Sequence, residues 1–404
     1  MRPPLSTLLR AARWTARGPR RTRTVRLSVA AGLATGLVAG LAGCGSSGKT
    51  SGAAAAGAGS RTVQVTLTTA GCEPATLKLA AGAVTFQVAN DGAAAVTEFE
   101  VLDAAGKNIL GEVENVAPGL RRNLSLNLKA GDYQLKCPGG TSAATGTLTV
   151  TGTAQAAADQ QLSDAAKRYQ GYVRQQTDLL VERTGSFVAA VLAGDLAAAK
   201  QRYAAARAPY ERIEPVAESF GDLDPAIDAR QGDVPAAQWT GFHKLEQALW
   251  QRHTTAGTAP IARKLLSDVK ALQAKTATLQ LDAPQIANGA NALLAEVSSS
   301  KITGEEERYS RIDLVDIGAN VEGSQVAFEL LRPALARRDA PLAGQIGQRF
   351  AAVGTVLAPW KHSTGFVAYN QLSSADTRRL SQAVDAVAEP LSKVGAKLAQ
   401  PAPE

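Results

Sequence analysis

Thr145-Gly146-Thr147-Leu148-Thr149-Val150-Thr151-Gly152-Thr153-Ala154-Gln155-Ala156-Ala157-Ala158-Asp159-Gln160-Gln161-Leu162 is the stretch on which the fold turns. Up to Thr151 the hydrophobic period is two. From about Ala154 it is helical. Upstream, apolar residues alternate with polar ones in short runs: Val63, Val65 and Leu67; Leu77 and Leu79; Val84, Phe86 and Val88; Phe99 and Val101; Leu124, Leu126 and Leu128; Leu148 and Val150. Ala81-Gly82, Asn90-Asp91-Gly92, Pro118-Gly119 and Ala130-Gly131-Asp132 separate the runs as turns. Short alternating strands at regular spacing predict a β-sandwich over residues 61–152. Downstream, Ala, Leu, Gln, Lys and Arg dominate, punctuated by Gly194, Asp224-Pro225, Gly257, Pro284 and Pro341. Helices are expected at 157–193, 195–220, 235–252, 259–279, 283–299, 309–337, 339–357 and 374–397, forming an all-α bundle over 155–400. The fold class is therefore multidomain, β then α.

The first 44 residues read differently. Eight arginines precede an apolar run from Leu27 to Ala42, which ends in Leu41-Ala42-Gly43-Cys44. A basic segment, an apolar segment and a small-residue cleavage site make a secretory signal peptide. The run is short and diluted for a membrane-spanning helix. Leu-Ala-Gly-Cys resembles a bacterial lipobox, which makes Cys44 the expected lipidation site and places the folded chain on the extracytoplasmic face of the cell membrane or in the periplasm. Residues 45–60, rich in Gly, Ser and Ala, form a flexible linker. The whole chain has 43 Lys+Arg against 36 Asp+Glu, but without the eight leading arginines the balance is 35 to 36. The basic pI belongs to the leader, so nucleic-acid binding is excluded as an expectation.

The sharpest chemical feature is Trp239-Thr240-Gly241-Phe242-His243-Lys244-Leu245-Glu246. On a helix, His243 and Glu246 are three residues apart and share a face. Gly241 leaves room for a neighbouring helix beside the histidine. An imidazole and a carboxylate converging at a helix interface can begin a metal site. An acidic stretch precedes it and supplies Glu211, Glu214 and Asp228; the bland reading of such charges is solvated surface. His253 and His362, the other two histidines, are expected at the surface or in local packing. Cys72 and Cys137 remain after the leader is removed, and outside the membrane such a pair is by default a disulfide; a thiolate metal site is the competing reading. The chain has neither a nucleotide-binding glycine loop nor a Gly-x-Ser-x-Gly nucleophile turn.

Several blocks in order resemble the EfeO-type iron-uptake proteins and, more broadly, the imelysin-like family. They are Ile213-Glu214-Pro215-Val216-Ala217-Glu218-Ser219-Phe220-Gly221-Asp222-Leu223-Asp224-Pro225, Gly241-Phe242-His243-Lys244-Leu245-Glu246, Ile302-Thr303-Gly304-Glu305-Glu306-Glu307-Arg308-Tyr309-Ser310 and Val96-Thr97-Glu98-Phe99-Glu100-Val101-Leu102. The resemblance runs from about residue 61 to the C-terminus. It implies a cupredoxin-like domain followed by an imelysin-like helical domain. It also implies a metal site at His243 and Glu246, with Glu214, Glu211 and Asp228 added and Glu307 as a weaker candidate. In the family a histidine often follows Arg-Tyr-Ser; here Arg311 stands there, so that ligand role is lost. In the β-domain Glu98, Cys72 and Cys137 are the candidates. The blue-copper set of two His, one Cys and one Met cannot form, because the β-domain has neither His nor Met. Either the cysteines are bonded, joining the first and last strands, or one or both are thiolate ligands.

The function implied is extracytoplasmic capture of iron (Fe2+ or Fe3+) and its delivery to a membrane permease, with a haem-peroxidase-like partner and a membrane lipid anchor. Copper and zinc are the other candidate metals. Carboxylates with one imidazole make a hard site, suited to iron or zinc and poorly suited to Cu(I). Two alternatives come from other classes. A zinc peptidase of the common kind needs His-Glu-x-x-His, and the helix has one His with no Glu beside it. Metal-mediated binding of an anionic polysaccharide gains nothing from a charge near zero.

Overall fold

The computed structural model describes residues 61–152, 160–363 and 365–400. Cys44 and the 45–60 linker lie outside the described residues. Nine strands span the first part: β1 (Arg61–Thr68), β2 (Gly71–Glu73), β3 (Thr76–Ala80), β4 (Gly82–Asn90), β5 (Phe99–Leu102), β6 (Ile109–Val113), β7 (Arg121–Leu128), β8 (Gly131–Lys136) and β9 (Thr145–Thr151). They form a four-stranded sheet in the order β2-β1-β4-β7 and a five-stranded sheet in the order β3-β9-β8-β5-β6.

The alternation read in the sequence fixes which side chains turn inward. Val65, Leu67, Val84, Phe86, Val88, Leu124 and Leu126 from one sheet share a core with Phe99, Val101, Leu135, Leu148 and Val150 from the other. Phe86 and Phe99 meet at 5.4 Å between ring centroids. Each such side chain, fully buried, contributes about 1.5–3 kcal/mol by leaving water. The parallel β1–β4 pair aligns Val63 with Phe86 and Val65 with Val88, so both strands present the same face. Asn90 is buried at the end of β4. Its amide donates to Ala93 O, Val96 O and Val116 O, which pins the loop that delivers Glu98 to the rim of the five-stranded sheet.

Ten helices follow: α1 (Gln160–Leu192), α2 (Leu196–Glu211), α3 (Leu223–Asp228), α4 (Gly241–Glu246), α5 (Ala259–Thr278), α6 (Ala283–Ser299), α7 (Asp313–Arg338), α8 (Ala340–Leu357), α9 (Ser374–Leu391) and α10 (Val394–Ala399). On α1, Tyr169, Val173, Leu180, Phe187 and Val191 recur at intervals of four or seven residues and are buried as one stripe. The second part is helical apart from one two-stranded ribbon, Lys361–His362 with Gly365–Phe366. His253 and His362 are both exposed.

The helix expected over 374–397 is divided into α9 and α10, and three boundaries near the acidic blocks differ from the sequence expectation, each for a local reason. The helix expected over 195–220 ends at Glu211, and a 3-10 turn over Glu214–Phe220 takes over with Pro215 in its first turn. The helix expected from 235 begins only at Gly241, whose φ of 82° no α-helix interior accepts. The helix expected from 309 begins at Asp313, because Arg311 is left-handed at φ 65°. The short α3 was not foreseen. These breaks lie beside the acidic blocks, and they turn the carboxylates inward.

Candidate metal centre

The centre is built where the end of α2, α3, α4, the 301–311 segment and the start of α7 converge. Gly241 decides how close they come. A Cβ there would lie 2.2 Å from Ile227 O, so only glycine lets the end of α3 reach the start of α4. That approach sets Asp228 against the imidazole two residues further on. His243 Nε2 lies 3.5 Å from Asp228 Oδ1 and 3.8 Å from Glu306 Oε1. Nδ1 lies 3.5 Å from Glu246 Oε2 and 3.8 Å from Glu307 Oε1. The imidazole is 2 % exposed. Neither ring nitrogen has a hydrogen-bond partner, and nor does Glu246 Oε2. Buried polar atoms are nearly always paired, so these three atoms without partners among the described residues, with carboxylates on both sides of the ring, mark a place shaped for something else.

The carboxylates around the imidazole are held from behind. Glu246 Oε1 accepts the amides of Tyr309 (2.7 Å) and Ser310 (2.6 Å), which leaves Oε2 turned to the histidine. The 302–310 block thus holds Glu246 through its backbone and brings its own Glu306 and Glu307 side chains to the histidine. Arg311 donates to Gly304 O and closes the same turn. Glu307 Oε1 accepts from Tyr203 (3.1 Å), and Ser310 donates to Oε2. Immediately after Glu246 the helix opens into a π turn, Gln247–Gln251, a distortion common at functional sites.

Two buried cations, neither anticipated from the sequence, organise the rest. The Arg207 guanidinium on α2 is fully buried and pairs with Glu211 (2.6 Å), Glu307 (2.7 Å), Asp316 (3.1 Å) and Asp228, and it lies over the Phe242 ring. Lys301 pairs with Glu214 (2.5 Å), Glu306 (3.4 Å) and Glu211 (3.7 Å). Asn320 donates to both Glu211 and Glu214. Glu211 and Glu214 are therefore not solvated surface, and they are not beside the imidazole. They belong to a second layer, engaged by Arg207, Lys301 and Asn320. Of the expected residues, Glu246, Asp228 and Glu307 are brought to His243. Glu306 joins them although its neighbour had been preferred; Glu305 in the same acidic run is exposed, and the sequence offers no periodicity there to tell the three apart.

Electrostatics follow from this packing. Burial would raise the Glu306 carboxyl, but Lys301, His243, Arg230 and Arg207 hold it at about 2. Burial likewise opposes ionisation of Glu246, yet His243 and the two amides keep it below the ordinary value. Burial pushes Asp228 up, and it pushes Glu307 and Asp316 well up, Glu307 also through Glu246. The centre carries more carboxylate than its own cations neutralise.

The centre opens onto a cavity of about 510 Å³ between the β-sandwich and the helices. Asp228, Glu306, Arg230 and Lys301 line its inner end, and Glu98, Glu112, Glu114, Glu218 and Glu296 line the rest. Glu98 groups with Glu112 and Glu114, with carboxylate oxygens within 4.8 Å of one another. Glu98 and Glu218 are each pushed up to about 8, chiefly by burial and then by neighbouring carboxylates. The cysteines do not join Glu98 as ligands. Cys72 and Cys137 are bonded to each other in the sandwich core, so neither offers a thiolate. The bond also does not join the first and last strands, because it ties β2 to the turn after β8.

Comparison with known proteins matches this architecture part by part. The family model described as Imelysin matches residues 165–394, and that described as Cupredoxin-like domain matches residues 38–150. The chain is 40% identical over 341 residues to "Iron uptake system component EfeO" of Escherichia coli (strain K12), covering 82% of this chain and 90% of the relative. The EfeO proteins of Shigella flexneri and Escherichia coli O157:H7 match at the same identity and coverage. A solved structure of Auracyanin A, a blue copper protein from Chloroflexus aurantiacus, is 20% identical over 23% of this chain and the whole of its own, with a TM-score of 0.20. With its β-sandwich ahead of a helical domain, and at this identity over nine-tenths of each EfeO, the chain belongs to the EfeO family of imelysin proteins that carry a cupredoxin-like domain.

Proposed function

We propose that the protein is the extracytoplasmic iron-binding component of an iron-uptake system, which captures iron as cargo between the helices and delivers it to a membrane permease. The observation that supports this most is the orphaned imidazole: His243 has four carboxylates within 3.8 Å and no hydrogen bond to any of them. One nitrogen among several carboxylate oxygens is a hard donor set, suited to Fe2+ or Fe3+ and also able to take zinc, with copper less favoured. The relatives are iron-uptake system components, and the helix has a single histidine where a zinc peptidase needs two. We therefore read the chain as a carrier and not as an enzyme.

The rest of the reading follows the sequence. Residues 1–44 serve as a lipoprotein signal peptide with Cys44 lipidated, 45–60 as a tether, 61–152 as the cupredoxin-like domain and 155–400 as the imelysin-like domain. Among the described residues no helix is long and apolar enough to cross a membrane. A haem-peroxidase-like protein and the permease are the partners the family suggests. The test is anaerobic Fe2+ titration of the purified protein against a His243→Ala/Glu246→Ala variant. The proposal expects affinity to fall at least a hundredfold. Unchanged affinity in a folded variant removes the helical centre from the function.

A further inference from the structure

Resting on that reading, we infer that His243 is a two-sided ligand: the cation has two alternative positions, one on each ring nitrogen, and occupies one at a time. The ligand atoms fall into two sets that share only the imidazole. Asp228, Glu306 and Nε2 form one; Glu246, Glu307 and Nδ1 form the other, and in each the donor atoms lie within 4.8 Å of one another. Donors bonded to one ion at about 2.0–2.2 Å lie about 3.0–3.4 Å apart. The observed nitrogen–oxygen separations of 3.5–3.8 Å therefore need to close by only a few tenths of an ångström on either side. Both nitrogens are buried and without partners. A single-position site would leave one of them to be satisfied by the protein, as metal-bound histidines usually are through their second nitrogen. Here neither is satisfied.

The two positions differ in access. Asp228 and Glu306 line the interdomain cavity, whereas Glu246 and Glu307 do not. The Nε2 position is therefore where an ion arrives, and the Nδ1 position is deeper, held by the 309–310 amides and Tyr203. Two features keep occupancy to one. A neutral imidazole has one lone pair and one N–H, so it serves one side at a time. Arg207 pairs with Asp228 and Glu306 of one set and with Glu307 of the other, so its fixed positive charge lies behind both positions and disfavours filling them together. Crossing from one side to the other breaks the bond to Nε2 and forms one to Nδ1: the ring proton on Nδ1 passes to a carboxylate of its own set, the vacated Nε2 takes a proton from Asp228 or Glu306, and the ion exchanges those two carboxylates for Glu246 and Glu307.

Manganese(II) is the probe, because it is a hard cation that does not oxidise in air at neutral pH on the timescale of a titration. Binding is read from the loss of the free-ion electron paramagnetic resonance signal, and position from anomalous diffraction of manganese-loaded crystals. Wild type is expected to bind one equivalent at this centre. Asp228→Asn/Glu306→Gln is expected to retain one equivalent, weakened about 10–100-fold, with density bonded to Nδ1. Glu246→Gln/Glu307→Gln is expected to do the same with density bonded to Nε2. Density on the same nitrogen in both variants, loss of binding in either, or two equivalents at once in wild type overturns the inference. The single variants Glu306→Gln and Glu246→Gln replace a pair that fails to fold. His243→Ala separates the two levels: if it leaves manganese affinity unchanged, the iron-site reading itself fails; if it abolishes binding and one pair variant does too, only the two-sided inference fails.

Discussion

Replacing Arg207 by methionine keeps the unbranched stem of the side chain to about the position of Nε and removes the charge from the middle of the centre. In the native protein that charge meets Glu211 at 2.6 Å, Glu307 at 2.7 Å and Asp316 at 3.1 Å, pairs with Asp228, and is fully buried. Breaking one buried pair by removing one partner costs about 3–5 kcal/mol, because the other charge stays buried and uncompensated. Four carboxylates lose their partner here, but such energies do not add, so one pair sets the lower bound. Thermal unfolding of the metal-free variant should therefore fall by roughly 6–20 °C at about 2–4 °C per kcal/mol. Added Mn2+ should stabilise Arg207→Met more than it stabilises wild type, since Asp228 and Glu307 then have only the ion to neutralise them. Arg207→Lys, with one ammonium in place of a fork that reaches several oxygens, should recover only part of the loss. A metal-free Arg207→Met protein that melts within 2 °C of wild type would refute the argument that this guanidinium holds the carboxylates in place.

Gly241→Ala places a methyl 2.2 Å from Ile227 O at a φ of 82°; it should destabilise the protein by about 1–3 kcal/mol and weaken metal binding by separating Asp228 from His243, checked by melting and titration of the same sample. Removing the Cys72–Cys137 bond opens a loop of 65 residues and should cost about 4 kcal/mol on the chain-entropy estimate, yet leave iron affinity within twofold, measured with Cys72→Ser/Cys137→Ser. Glu98 and Glu218 are held at about 8 and Glu296 at about 7, against 4.5 in the unfolded chain. The native state keeps protons there that the unfolded state has lost, so this contribution is full below pH 4.5 and disappears as pH rises through 7 to 8. Melting temperature in chelator should accordingly fall between pH 5 and pH 8, and a rising curve over that window would contradict the burial of these carboxyls.

The fold was legible because both of its periods are carried by apolar residues. Val63, Val65 and Leu67 announce a strand, and Tyr169, Val173 and Leu180 a buried helical stripe, whatever surrounds them. His243 and Glu246 were legible for the same reason, being fixed to one face by three-residue spacing. The rest of the centre was not. Arg207 lies four residues before Glu211, which in a sequence reads as an ordinary surface pair, and only the packing of α7 over α2 makes it a buried hub. Glu306 and Glu307 sit in a run of three glutamates inside an irregular turn, where no period says which one faces inward. Lys301 gave no sign because a lysine is almost never fully buried unless carboxylates converge on it from elsewhere in the chain. The acidic wall of Glu98, Glu112, Glu114 and Glu218 is assembled from both halves of the chain, so no local pattern contains it.

X-ray absorption at the iron edge of the iron-loaded protein tests the central claim most directly. A first shell of oxygen donors with one imidazole nitrogen, and loss of the imidazole scattering in His243→Ala, is the expected result. Sulfur scattering at about 2.3 Å, or a spectrum that His243→Ala leaves unchanged, would contradict it.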